Sequence, residues 1–206
     1  MDLFPADPKA NILPHDGLAF YDPEGLPRGE SGRLFERLKK EIPWRHDEVT
    51  MFGKTIVTAR EVAWFGDSGL NYTYSGKTKS PLPWNALLTE LKGIVAKKTG
   101  HLFNSCLLNL YHDGSEGMGW HRDNESSIIR DSPIACLSLG AQRRFHFKHV
   151  ATKERITIEL EHGSMLVMAG ETQRHWLHSV PKSTRVVDPR VSLTFRQMKE
   201  VADNDS

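Results

Sequence analysis

The chain has 206 residues, with 27 basic and 26 acidic side chains and a net charge of +1. That length suits one folded domain with a substantial core, and the near balance of charge gives no support to a dedicated polyanion binder. No apolar run reaches the about 18 residues that a membrane span needs, so no membrane partner is expected. The start, Met1-Asp2-Leu3-Phe4-Pro5, lacks the basic and apolar stretches of a secretory signal. Cys106 and Cys136 each sit inside an apolar run and read as core thiols of a reducing compartment. An intracellular monomer is expected, cytoplasmic or, in a eukaryote, nuclear.

In chain order, residues 1–30 are rich in Pro, Gly and Asp and predict an irregular arm. Residues 31–100 form a second region. Ser31 is placed to cap a helix ending near Ile42, with Leu34, Phe35, Leu38 and Ile42 on one side and Pro43 as its stop. Residues 48–57 read as strand interrupted at a hairpin tip, Phe52-Gly53-Lys54. A second helix is predicted from Trp84 to Lys98, its stripe made by Trp84, Leu87, Leu88, Leu91 and Ile94, with Gly100 as C-terminal cap. Residues 101–198 then read as short strands: Phe103–Tyr111, Ile134–Leu139, Arg144–His149, Arg155–Leu160, Ser164–Met168 and Val191–Arg196, followed by a polar tail over 199–206. Helices followed by strands predict an α+β fold, with the helices on one face of a β-sandwich or barrel. Basic clusters occur at Lys77/Lys79, Arg143/Arg144/Lys148 and Lys182/Arg185, each of which alone reads as a solvated strand end or loop.

Alternation in a strand puts residues two apart on one face. In the last strand Val191, Leu193 and Phe195 share one side, while Arg190, Ser192, Thr194 and Arg196 share the other. Likewise Leu108 and Leu110 oppose Asn109 and Tyr111. Polar faces of this kind point either to water or into a site. His121-Arg122-Asp123 favours a site, because His121 and Asp123 share a face when extended. One carboxylate and two imidazoles occupy one face of an octahedral Fe(II) and leave positions for a chelating cosubstrate and oxygen. His175 and His178 are the downstream candidates for the third ligand, and an arginine fork on the last strand would bind a carboxylate in a bidentate pair. A zinc hydrolase is the chemical rival, but it leaves Arg190 and Arg196 without a task.

Here the sequence resembles the AlkB family of nucleic-acid dealkylating oxygenases. The residues that carry the resemblance are Asn109-Leu110-Tyr111-His112-Asp113-Gly114 and Gly119-Trp120-His121-Arg122-Asp123-Asn124-Glu125. They continue in Ser132-Pro133-Ile134, His162-Gly163-Ser164, His175-Trp176-Leu177-His178-Ser179-Val180-Pro181 and Pro189-Arg190-Val191-Ser192-Leu193-Thr194-Phe195-Arg196. Upstream, Gly69-Leu70-Asn71-Tyr72-Thr73-Tyr74-Ser75-Gly76 belongs to the same pattern. The resemblance implies a double-stranded β-helix (jelly-roll) core, with N-terminal helices and a nucleotide-recognition lid packed on it. It implies an Fe(II) enzyme using 2-oxoglutarate and O2 as cosubstrates. It also implies His178 as the third ligand, with His175 on the opposite strand face as a structural residue. Asn109, Tyr111, Arg190 and Arg196 become 2-oxoglutarate contacts, Arg196 nearer the metal end, while Ser192 and Thr194 line or fill that pocket.

The implied reaction is oxidative demethylation of N-alkylated bases such as 1-methyladenine and 3-methylcytosine, releasing succinate, CO2 and formaldehyde. Such bases cannot pair normally, so flipping them out costs less. Tyr72 and Tyr74 would wall a flipped base, and Glu125 would accept from an exocyclic amine. Phe52 on its hairpin resembles the wedge of the duplex-preferring branch, and Arg60 would meet phosphate or the orphaned strand. Duplex DNA is therefore the expected partner, with single strands or RNA open. The rivals are a protein or small-molecule hydroxylase on the same scaffold, which has no use for Phe52, Tyr72 and Tyr74, and a non-catalytic jelly roll that binds damaged DNA.

Overall fold

The computed structural model describes residues 7–200 apart from 52–53, 71 and 75–76. A strand β1 (Leu18–Asp22) lies inside the segment expected to be irregular, its Ala19 and Tyr21 buried by period-two alternation. Helix α1 (Arg28–Glu41) starts three residues before the expected cap: Pro27 precedes it, and Ser31 is buried within its first turn. Then come β2 (Arg45–Met51), β3 (Lys54–Gly66), a small ribbon of β4 (Tyr72–Tyr74) and β5 (Lys77–Lys79), and helix α2 (Ala86–Thr99). Asn85 caps α2 by accepting from the Leu88 N–H, and Gly100 ends it at φ 73°, a left-handed cap that glycine adopts without strain.

The remaining elements are β6 (Ser105–Tyr111), β7 (Met118–His121), β8 (Ile134–Gly140), β9 (Arg143–His149), β10 (Arg155–Leu160), β11 (Met165–Ala169), the short α3 (Thr172–His175), β12 (Trp176–Val180) and β13 (Arg190–Arg196). Seven strands form the major sheet in the order β1-β11-β8-β13-β6-β3-β2, and four form the minor sheet, β10-β9-β12-β7. The strands β2 and β3 therefore continue the major sheet, and the expected division at residue 100 between a lid region and the core does not follow the pairing.

Two apolar cores flank the major sheet. On its outer side Leu34, Leu38 and Ile42 of α1 and Leu87, Leu88, Leu91 and Val95 of α2 pack on Leu108, Leu137, Leu139, Val191, Leu193 and Phe195. Between the sheets lie Phe145, Phe147, Leu166, Met168 and Trp176. Each fully buried leucine or phenylalanine contributes about 1.5–3 kcal/mol. Strand β13 is consequently buried on both faces: its apolar residues meet the helices, and its polar residues face inward between the sheets. That polar face turns away from the protein's outer surface, and this inward placement positions the site.

Candidate metal centre and anion pocket

The minor sheet sets His121 directly opposite His178, as register partners of the antiparallel pair β7–β12. Their ring centroids are 4.2 Å apart, and Asp123, two residues beyond His121, joins them. The donor atoms of His121, Asp123 and His178 lie within 4.8 Å of one another. His121 Nδ1 donates to the Gly119 carbonyl at 2.9 Å, which leaves Nε2 as the free lone pair, 4.0 Å from Asp123 Oδ1. His178 is 4% exposed, and its Nδ1 has no hydrogen-bond partner among the described residues. Burial, reinforced by His121 and Arg196 and opposed by Asp123, pushes the His178 imidazole down to about 3. It is thus neutral near pH 7, the form that ligates. Asp123 is raised by burial but drawn below its ordinary value by Arg196, then His178 and His121. Its Oδ2 accepts from Arg196 at 2.9 Å, and its backbone N–H donates to Gln173 Oε1 at 2.9 Å. A buried carboxylate, two converging imidazoles and an orphaned imidazole nitrogen fit an Fe(II) ion.

Across the barrel the major sheet aligns its polar rungs. Arg190 pairs with Tyr111, Ser192 with Asn109 and Ser138, and Thr194 with Cys136. Arg190 is 2% exposed; Nη2 donates to Ser138 Oγ at 2.8 Å, while Nε and Nη1 have no partner among the described residues. Burial, with Arg143 adding, lowers the Arg190 guanidinium from its ordinary value, and Tyr111, whose ring centroid lies 5.4 Å away, opposes this. An arginine remains charged in any such setting. Two orphaned donors on a buried cation call for an anion that takes both at once, and a carboxylate matches that fork.

A model of the 2OG-Fe(II) oxygenase superfamily matches residues 20–196. This chain belongs to that superfamily. Within it the chain is 40% identical over 182 residues to the DNA oxidative demethylase ALKBH2 of Mus musculus, covering 83% of this chain and 76% of the relative. The Homo sapiens protein of the same name is 39% identical, with 70% of it covered. The alpha-ketoglutarate-dependent dioxygenase alkB homolog 3 of Homo sapiens is also 39% identical, over 81% of this chain and 61% of that protein. Among solved structures, OsALKBH1 superposes with a TM-score of 0.62 at 18% identity, covering 87% of this chain and 97% of that one. A Trichoplax adhaerens prolyl hydroxylase gives 0.61 at 12%, covering 88% and 84%; at these identities the likeness concerns the jelly-roll fold. The oxygenase is an AlkB-like, Fe(II)- and 2-oxoglutarate-dependent dioxygenase.

Beside the metal donors the oxygenase holds a cavity of about 630 Å³ whose walls include Arg60, Asn109, Met118, Glu125, Ser127 and Arg196. Arg60 lines this cavity, donating through Nε to Asn109 Oδ1 at 3.1 Å with Nη2 3.8 Å from Asp47. Glu125 is exposed at the cavity mouth. Tyr72 and Tyr74 lie on β4, where they are register-paired with Lys79 and Lys77. Phe52 lies outside the described residues. His175 sits in α3, not on the opposite face of a strand, and its ring stacks on His149 at 6.1 Å. Trp120 points away from the metal donors; it is 38% exposed with Lys148 Nζ 4.3 Å over its ring.

Arg143, grouped with solvated cations in the sequence, is buried and donates to the carbonyls of Asp113, Glu116 and Pro181. The neighbouring Arg144 does join Lys182 and Arg185 along a separate groove of about 1010 Å³. Sequence reasoning missed Ser138 and Gln173. Ser138 carried a signal, as the one hydroxyl in the apolar run Ile134–Leu139; Gln173 carried none.

Proposed function

We propose that the chain is an oxidative demethylase of N-alkylated DNA bases, with 1-methyladenine and 3-methylcytosine as its lesions. In this reading His121, Asp123 and His178 hold Fe(II), and Arg190, Tyr111, Asn109, Thr194 and Arg196 hold 2-oxoglutarate. The observation that carries it is the continuity of the site: Arg196 touches Asp123 at one end and lines the cavity of about 630 Å³ at the other. That volume falls within the about 300–1,000 Å³ of sites for ligands the size of one base. The metal and cosubstrates, when bound, supply the oxidation that hydroxylates an N-methyl carbon and releases formaldehyde, succinate and CO2.

The protein's part is placement. Arg190 fixes the far carboxylate, Arg196 keeps Asp123 ionised and oriented, and buried Ser192 and Thr194 keep bulk water from the pocket. Glu125 and Asp47 give the cavity carboxylates that favour a cationic methylated base over a neutral one. Tyr72 and Tyr74 stack on the flipped base, each such contact contributing about 1–3 kcal/mol. Lys182, Arg144 and Arg185 line a groove suited to a phosphate backbone. The finer preference for duplex over single strands rests on Phe52 as a wedge.

The test incubates the protein with Fe(II), 2-oxoglutarate and methylated duplex or single-stranded DNA and RNA oligonucleotides, reading formaldehyde and base mass. Demethylation of DNA is expected. Turnover only on RNA, or only on a peptide or small molecule, would transfer the assignment to the rival hydroxylases. Phe52→Ala should depress duplex activity selectively, and an equal loss on single strands would remove the wedge.

A further inference from the structure

A second group of imidazoles and carboxylates gathers where the N-terminal arm crosses the barrel. His149 is register-paired with Trp176, two residues along from the Phe147–His178 pair, and the arm brings His15 and Asp16 against it. Trp176 anchors the crossing: its Nε1 donates to the His15 carbonyl at 3.0 Å, and its ring lies 5.6 Å from His15 and 4.9 Å from His149. Asp16 Oδ2 is 3.1 Å from His15 Nδ1 and 3.3 Å from His149 Nε2. His149 is 3% exposed, yet its Nε2 has no hydrogen-bond partner among the described residues. A buried imidazole nitrogen thus points at a carboxylate without completing a hydrogen bond to it.

The outer nitrogens of both rings face oxygen. His15 Nε2 lies 3.0 Å from Glu154 Oε2, and Nδ1 has an equivalent hydrogen bond to Asp16, so each ring nitrogen has a carboxylate to donate to. An ion at Nδ1 would displace the proton there and keep the one held by Glu154. His149 Nδ1 has the Thr152 hydroxyl at 3.0 Å and the Thr152 N–H at 3.1 Å. Donation to the hydroxyl leaves Nε2 bare; acceptance from the N–H puts the proton on Nε2, facing Asp16. A metal ion selects the first arrangement: it displaces the protons between the rings and Asp16, and two lone pairs and one carboxylate then meet at a single point. We infer that His15 Nδ1, Asp16 Oδ2 and His149 Nε2 form a second metal site, of zinc type, that fastens the N-terminal arm to the barrel.

Two imidazoles, one carboxylate and a water make a tetrahedral Zn²⁺ set. With bonds of about 2.0–2.1 Å, the donors of such an ion stand about 3.3 Å apart, matching the two measured edges. Glu154 and the Thr152 hydroxyl are positioning groups that accept the outer ring protons once the ion is bound. The site shares no residue with the His121 cluster and does not rest on the reaction proposed above. Because its ligands come from the arm and from β9, the ion would stabilise the folded chain by binding only that state.

The test titrates the metal-free 206-residue chain with Zn²⁺ alone, counting equivalents by calorimetry and elemental analysis. Wild type should bind two, one at each cluster. His15→Ala/Asp16→Ala should bind one and lose the zinc-induced rise in Tm assigned to the arm, while His121→Ala keeps the equivalent at the arm. Both substituted arm side chains are partly exposed, so the fold should survive; a circular-dichroism spectrum and a metal-free Tm near those of wild type verify this. His101→Ala, at a remote exposed histidine, should change nothing. Cobalt(II) gives a second readout: the intense visible absorption of a tetrahedral site should appear in wild type and vanish in the arm variant. One equivalent in wild type, or two retained in His15→Ala/Asp16→Ala, overturns the inference and leaves a cluster bridged by protons.

Discussion

Replacing Arg190 by methionine separates two effects that an ordinary core substitution mixes. In the free protein the guanidinium is 2% exposed and leaves Nε and Nη1 unpaired, and each orphaned donor costs about 1–3 kcal/mol. Against this, Arg190→Met forfeits the charged hydrogen bond to Ser138, about 1.5–3 kcal/mol. It also forfeits the contact over the Tyr111 ring, up to about 2 kcal/mol. The two sides nearly cancel, so the free variant should unfold within about 2 kcal/mol of wild type, where truncating a well-satisfied buried side chain costs about 2–5 kcal/mol. Cosubstrate binding behaves differently. Removing one partner of a buried, hydrogen-bonded charge pair costs about 2–5 kcal/mol, an affinity loss of about 30- to 5,000-fold. The assay is denaturant unfolding without ligand, then 2-oxoglutarate titration with Mn²⁺ replacing iron to prevent turnover. Mn²⁺ affinity itself should hold, since none of the three metal donors is altered. Arg190→Met protein that binds 2-oxoglutarate within about threefold of wild type would refute the carboxylate-fork argument.

Asp123→Ala should abolish turnover and cost the fold up to about 3–5 kcal/mol, because it strands the Arg196 cation, whose side chain is 12% exposed. Adding Arg196→Met should recover most of that stability with no recovery of formaldehyde release; a double variant no more stable than Asp123→Ala would dismiss the ion-pair explanation. Burial raises the Cys136 thiol to about 11 and raises that of Cys106 well above its ordinary value, so both stay protonated at neutral pH. At pH 8 a thiol of that pKa is ionised to about one part in a thousand. Native protein should therefore resist a thiol reagent and release two equivalents only on unfolding, whereas rapid labelling of the folded chain would contradict the burial.

What could be read from the sequence was local. The stripe Leu34–Leu38–Ile42, the cap at Gly100 and the alternation in Arg155–Leu160 depend on helix or strand period alone, and the elements stand within a few residues of their predicted places. Parity in β13 was also enough to put Arg190, Ser192, Thr194 and Arg196 on one face. The elements that escaped are those whose residues answer to a distant partner. Strand β1 is an edge strand in a Pro- and Gly-rich segment and exists by pairing with β11. Strands β7 and β12 are short and carry the polar metal motif, so neither shows apolar alternation, and each is a strand because the other is there.

The same dependence explains why periodicity could not choose between His175 and His178. They lie three residues apart, and which one faces His121 follows from where α3 stops and β12 begins. His178 meets His121 because Trp176, two positions earlier, fills the same inner face as core. Arg60 and the pair His15–Asp16 belong to this class as well: an arginine on β3 reads as a surface cation until Asn109 of the neighbouring strand accepts from it, and an arm histidine reads as solvated until His149 is beneath it. In this fold the apolar residues announce the layers by their period, while the polar residues that do chemistry take their meaning from cross-sheet register. A single register slip on β12 would turn His178 out of the barrel and leave every local pattern intact.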